Sequence, residues 1–564
     1  MGIWLPMPKV HPRRIVALCT LSLLGLCVLR VNAQRSAIDT YAITNARIVT
    51  VSGPVVERGT IVIRNGLIAA VGANVNVPSD ARVIDGAGLT VYPGLIDSYT
   101  NLALPDAAPG PSPGGGPAAF LFAAPARPSG GPNSTQPAGL QPELMVEDVI
   151  RSSGAELETS RGIGITTALT VPRTGIWMGQ SALINLSGET PQQMIVRSPV
   201  AMHVGFTPLR GTYPGSLMGV FATLRQMMLD AQRYRDSMLI YERNPRGIRR
   251  PETDRSLAAL VPVVDGRMPV VMLANTEREI SRALDLAAEF KLKLIVAGGR
   301  EADRVADRLA KQNVPVLLSL NLPRRTTAAL PEADPEPMRV LRERVEAQQT
   351  AGKLAKAGVR FAFQSGSLNN MSDLMLNASR MIENGLAPAD AVRAFTLWPA
   401  EILGVSNQLG SIDAGKIANL TVTRGDLFDR NSRVAHVFID GRPIDLRSAA
   451  APERPAGATR TGLAGSWTLA INLGQGERGA TLTLQQEGDR VTGSIAGVLG
   501  AGEIANASAT PAGGLRFTVS LNIEGQTKEA TFAGILAGDQ IRGQVTVVGS
   551  TPGTFTATRS GQPN

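Results

Sequence analysis

Imidazole is scarce in this chain: His11, His203 and His436 are the three histidines in 564 residues. Metal-assisted hydrolysis needs side chains that hold a divalent ion and a group that accepts the proton of bound water. Zinc takes imidazole, thiolate or carboxylate ligands. The two cysteines, Cys19 and Cys27, both fall near the N-terminus. His11 lies in the stretch read below as a leader, which leaves two histidines, so a centre built on three or four imidazoles is excluded wherever its ligands would lie. An all-carboxylate site stays open, although oxygen ligands suit magnesium, calcium or manganese better than zinc. His203, in Ala201-Met202-His203-Val204-Gly205, reads as a strand-end residue, either structural or a pocket acid/base. His436, in Val434-Ala435-His436-Val437-Phe438, reads as structural. Ser365 and Ser367 have no base beside them in sequence, which argues against a serine nucleophile.

Three longer motifs carry more information. They are Tyr92-Pro93-Gly94-Leu95-Ile96-Asp97-Ser98-Tyr99-Thr100-Asn101, Arg161-Gly162-Ile163-Gly164-Ile165-Thr166-Thr167, and Leu409-Gly410-Ser411-Ile412-Asp413-Ala414-Gly415-Lys416 with its continuation Ile417-Ala418-Asn419-Leu420. Together they resemble the amidohydrolase superfamily, close to its imidazolonepropionase-like branch, over about residues 41–445. The resemblance implies a (β/α)8 barrel that hydrolyses non-peptide C–N bonds with zinc or another divalent metal. It implies a His-x-His pair ending the first strand, a histidine on the fifth strand and another on the sixth. It also implies an aspartate ending the eighth. In this sequence those positions hold Tyr99 and Asn101, then Asn275, Ala297 and Gly366. No cofactor is expected with this set. Asp97 belongs to the motif's framework, and Tyr99 and Asn101, two residues apart on a strand, are expected to share the inward face of a pocket. The reading is a barrel without metal-hydroxide chemistry that binds a small molecule or a homologous amidohydrolase subunit, as a homo- or hetero-oligomer. The alternative is an active hydrolase of cyclic amides or related molecules with an atypical metal or metal-free site.

The elements that must position these residues follow from local pattern. Short alternating strands fill residues 41–91, with a hairpin at Asn65-Gly66. A second β segment lies at 418–439 and turns at Asp440-Gly441. Between them apolar runs alternate with helical periodicity. Val270–Ala274 is a strand, Thr276-Glu277-Arg278-Glu279 a capping box, and Ile280, Leu284, Ala287 and Phe290 mark the helix that follows. Leu294–Ala297, Val314–Leu320 and Arg360–Phe363 are further strands, and helices cover Glu301–Lys311, Met338–Ala357, Ser372–Glu383 and Pro388–Phe395. Such alternation predicts a parallel sheet covered on both faces, and with the resemblance a closed α/β barrel rather than an open sheet. Trp177-Met178-Gly179-Gln180 reads as a loop. The apolar face with Leu224, Met227 and Met228 reads as core.

Residues 1–33 read as a secretory signal peptide. Lys9, Arg13 and Arg14 precede the apolar run Ile15–Leu29, which is short for a membrane span, and Val31-Asn32-Ala33 places cleavage before Gln34. The expected location is periplasmic or secreted. The formal charge of +9 includes four basic residues of the leader, leaving 52 basic against 47 acidic side chains. No basic run with interleaved aromatics occurs, so nucleic acid is not an expected partner. The expected domains are a composite β-sandwich (34–92 and 409–446), the barrel (93–408, with a Pro/Gly-rich insertion at 105–143, either disordered or a flap), a linker (447–463) and a C-terminal β-barrel or sandwich (464–564).

Overall fold

The computed structural model describes residues 40–560 apart from 106–135, 210, 324–336, 367, 369, 430, 447–462, 473–476, 488–489, 498–499, 510–513, 524–525, 538–539 and 548–552. The leader, most of the 105–143 insertion, Ser367 and nearly all of the linker lie outside the described residues. The chain divides into two compact units after Leu446.

In the first unit, one sheet joins the two ends of the segment. Leu89–Pro93 pairs in parallel with Thr40–Ile48 and antiparallel with Leu420–Arg424. Val56–Arg64 and Leu67–Gly72 extend it on one side, Arg433–Ile439 and Arg442–Ile444 on the other. The two hairpins turn through Asn65-Gly66 (φ 52° and 81°) and Asp440-Gly441 (φ 50° and 71°). Both turns need two successive left-handed residues, which Asn-Gly and Asp-Gly supply at low cost. The sheet curls over its own core of Ile43, Ile48, Ile61, Ile63, Val91, Leu420, Val422 and Phe438. The rings of Tyr41 and Phe438, on strands that are not sheet neighbours, meet at 5.9 Å.

Beside it, eight staves form the α/β barrel: Leu95–Thr100, Ile165–Thr170, the run from Trp177 through Asn185, Met202–Gly205, Val270–Ala274, Leu294–Gly298, Val316–Ser319 and Phe361–Gln364. Seven are mutually parallel. The third, which includes the segment expected to be a loop, runs antiparallel to both neighbours. The reason is length. Only residues 171–176 separate the second and third staves, and a parallel return needs a crossover of about a dozen residues. The barrel closes where the Ser98 hydroxyl donates to Phe363 O at 2.7 Å and Gly366 N–H donates to Tyr99 O at 3.1 Å. Thr276 and Glu279 form the capping box that starts the helix Glu277–Phe290. Ile280, Leu284, Ala287 and Phe290 are buried on its barrel side. Leu224, Met227 and Met228 are likewise buried, on the helix Leu217–Arg243.

The barrel interior is packed. Ile96, Leu169, Leu183, Val271, Ile295, Ala297, Leu317 and Ala362 fill it, with Ala400, Leu403, Val405 and Leu409 in the same cluster. The second unit is a closed barrel of eight antiparallel strands between Gly465 and Arg559, each paired with the next and the last with the first. Its interior holds Trp467, Leu469, Leu482, Phe517, Phe532 and Phe555. An eight-stranded barrel is narrow enough for side chains to fill it.

Candidate functional site

The first stave brings its motif to the end of the barrel where the strands point. Tyr99 turns inward and joins the packed interior with 9% of its surface exposed. Its ring meets that of His203 across the barrel, centroids 5.6 Å apart and planes inclined at 58°. Burial pushes the Tyr99 hydroxyl up to about 12 and the His203 imidazole down to about 3. Both are therefore neutral at ordinary pH. His203 lies within the fourth stave rather than at its end. Neither of its ring nitrogens has a hydrogen-bond partner among the described residues.

Tyr99 and Asn101 do not share a pocket face. The register against the second stave slips between Asp97 and Thr100, and the strand ends at Thr100. The alternation that would align the two side chains is thereby broken. Asn101 instead donates through Nδ2 to Val171 O at 2.8 Å, tying the ends of the first two staves together. With Thr100, Arg173, Glu156, Ser365, Gly366 and Asn370 it lines a recess of about 430 Å³.

Gly366 is tightly confined. A Cβ added there would lie 2.5 Å from Gln364 Oε1, 3.1 Å from Tyr99 Cδ1 and 3.1 Å from Tyr99 O. Asn275 stands apart. Its backbone N–H donates to Glu279 at 2.8 Å, its side chain sits over Gly298, and it lines a separate cavity of about 70 Å³ with Arg300, Ser319 and Thr350. Ala297 is wholly buried in the barrel interior. Of the five positions, then, Asn101 and Gly366 meet at the recess. Tyr99 lies just behind them, and Asn275 and Ala297 are elsewhere. His436 sits in the curled sheet opposite Val422, remote in the fold from the barrel strands' ends.

One pairing escaped sequence reasoning. Ser365 does have a carboxylate beside it, supplied from 268 residues away. Asp97 Oδ1 accepts from Ser365 N–H at 2.9 Å and from Tyr99 N–H at 3.4 Å, and the Ser365 hydroxyl donates to Asp97 Oδ2. The Thr100 hydroxyl is 3.4 Å from that of Ser365. Burial pushes the Asp97 carboxyl up to about 6, against the pull of the Ser365 hydrogen bonds. This cluster stitches the first stave to the segment after the eighth. The signal for Asp97 was its place in the motif; nothing local marks Ser365 as its partner. Among the described residues, no three His, Cys, Asp or Glu side chains come together as a ligand group.

The first unit is thus an α/β barrel with a composite sheet beside it and a recess at the strands' ends. Residues 209–444 match the model of the Amidohydrolase family. An enamidase of Eubacterium barkeri is 43% identical over 61 residues, which is 10% of this chain and 16% of that protein. An imidazolonepropionase of Vibrio cholerae serotype O1 is 42% identical over 65 residues, 11% of this chain and 16% of that protein. The matched stretches thus span under a fifth of these curated relatives. The crystal structure of an amidohydrolase from Thermotoga maritima MSB8 superposes with a TM-score of 0.60 at 23% identity, over 72% of this chain and 99% of that one. The family match covers residues 209–444, and the likeness of fold extends over 72% of the chain.

Proposed function

We propose that this is an exported member of the superfamily that has given up metal-dependent C–N hydrolysis and uses the recess at the barrel strands' ends to bind a small neutral ligand. A homologous active subunit docking at the same face is the other form of this reading. The observation that carries it is the residue set at the five positions. Ala297 and Gly366 have no side-chain donor atom, Tyr99 is a buried phenol held neutral, Asn101 uses its amide on Val171, and Asn275 lines a separate cavity. These residues do not fit a divalent cation. What the recess offers instead is neutral hydrogen-bonding groups from Thr100, Asn101 and Ser365 beside the charges of Arg173 and Glu156.

Elemental analysis of protein purified without chelator tests the reading. Far less than one zinc per chain is expected, and stoichiometric zinc that survives dialysis overturns it. A second reading, metal-free hydrolysis, draws support from the Ser365 hydroxyl bonded to buried Asp97 at the recess wall. It would be established by small-amide hydrolysis that metal-free protein performs and Ser365→Ala abolishes.

A further inference from the structure

The helix Leu217–Arg243 outruns the core that it packs on. Its buried residues end at Ala231, although the helix continues to Arg243. The remainder, roughly 18 Å of helix, is tied back by Arg235, which pairs with Asp265 at 3.3 Å. Beyond that pair apolar residues continue without a partner to cover them. Leu239 and Ile240 are 43% and 58% exposed, and Ile248 in the loop that follows is 41% exposed. From Glu242 to Arg250 every residue is exposed.

The same tip is basic. Residues 239–252 hold Arg243, Arg246, Arg249 and Arg250 against Glu242 and Glu252. Glu252 lies 3.6 Å from Arg249, with side chains 91% and 90% exposed, so that pair is weak. Arg243, Arg246 and Arg250 have no ion pair among the described residues.

A lipid surface answers both features at once. Guanidinium groups bind phosphate oxygens through paired hydrogen bonds, and aliphatic side chains beside them enter the boundary between headgroups and acyl chains. Lipid takes projecting side chains without matching their outline. A protein partner must match them over about 800 Å² on each side, and three separated aliphatic side chains on a projecting end do not supply the apolar centre of such an interface. A second copy is opposed by sign, because an isologous contact through the tip sets arginines against arginines. No helix among the described residues is long and apolar enough to cross a membrane, so contact through this helix is peripheral.

We infer that the end of this helix, with the loop through Arg250, is a docking site for an anionic phospholipid surface. Leu239, Ile240 and Ile248 enter the lipid boundary, and Arg243, Arg246 and Arg250 hold the phosphate groups. The tip shares no residue with the recess, so docking holds whether or not the recess binds a ligand.

Cosedimentation with lipid vesicles tests this. The chain starts at Gln34, so that the apolar leader cannot itself bind, and the described fold begins only at Thr40. Binding is expected to vesicles of phosphatidylcholine and phosphatidylglycerol in equal parts, and not to phosphatidylcholine alone. It should weaken as salt is raised. Arg246→Gln with Arg250→Gln should weaken it about 25-fold, roughly fivefold for each charge lost near the surface. Leu239→Ser with Ile240→Ser should weaken it about tenfold. All four side chains are exposed, so both variants should keep the parent's melting temperature. Equal binding to both kinds of vesicle, binding to neither, or binding that both variants leave intact overturns the proposal. So does soluble polyglutamate that binds as tightly as the anionic vesicles and is indifferent to Leu239→Ser with Ile240→Ser, which marks the tip as a site for an acidic protein. A dimer that the same variant breaks, in protein that ignores vesicles, also overturns it and assigns the tip to a second copy.

Discussion

Two buried groups near the recess respond to acid with opposite sign. His203 is pushed down to about 3 from its ordinary 6.5. As pH falls from 6.5, the unfolded chain takes a proton that the folded one refuses, so stability drops by about 1.4 kcal/mol per pH unit. Asp97 is pushed up to about 6 from 3.8. Its contribution is fully present below 3.8 and is lost as pH rises through about 6, so stability climbs with the same slope as pH falls through that interval. From pH 6 to 4 the two contributions cancel. Asp97→Asn removes one of them. Relative to the parent, the variant should lose about 3 kcal/mol between pH 6 and pH 4, read from urea midpoints. A constant difference across that interval refutes a titration of Asp97 near 6. None of this was legible in the sequence. The motif named Asp97, but its partner Ser365 is brought to it only by closure of the barrel.

At the scale of elements, local signals were reliable wherever the physics is local. The Asn65-Gly66 and Asp440-Gly441 hairpins form because two left-handed residues are needed and those dipeptides supply them. The capping box at Thr276 forms because hydroxyl and carboxylate sit three residues apart. Thr276→Ala should cost about 1 kcal/mol, measured as a lowered denaturation midpoint without loss of cooperativity. An unchanged midpoint would mean that the Glu277–Phe290 helix is held by its buried face alone. Where pairing is distant, the sequence said less. The apolar run at 177–185 carries no sign of its direction, and only the short connection before it forces the antiparallel return. Tyr99 and Asn101 alternate correctly as letters, yet the register slip and the strand end between them send one into the core and the other to the rim. Motif spacing fixes which side chains stand on a strand, and the packing around that strand decides which of them reach a ligand.

For the whole molecule, the division after Leu446 sets what can fold without what. The composite sheet cannot form without both ends of the first unit, because Leu89–Pro93 needs Leu420–Arg424 as its neighbour. The C-terminal barrel has no such debt. Its eight strands pair in sequence order and close on themselves, so no strand edge is left waiting for the rest of the chain. Its core supplies its own aromatic packing: the Phe517 and Phe532 rings stack at 4.9 Å, and Phe555 meets Phe532 edge-on at 5.2 Å. The structure adds one residue to the unit that composition suggested. Leu463 is buried in this core, and its carbonyl accepts the Trp467 Nε1–H at 3.1 Å. A fragment of residues 463–564 should therefore fold alone, with β-type circular dichroism and a single cooperative melt. Leu463→Ser should lower its stability by about 1.5–3 kcal/mol, the transfer cost of one leucine side chain. A disordered spectrum for the fragment would show that the barrel needs the first unit to close. A fragment indifferent to Leu463→Ser would place the start of the domain at Gly465.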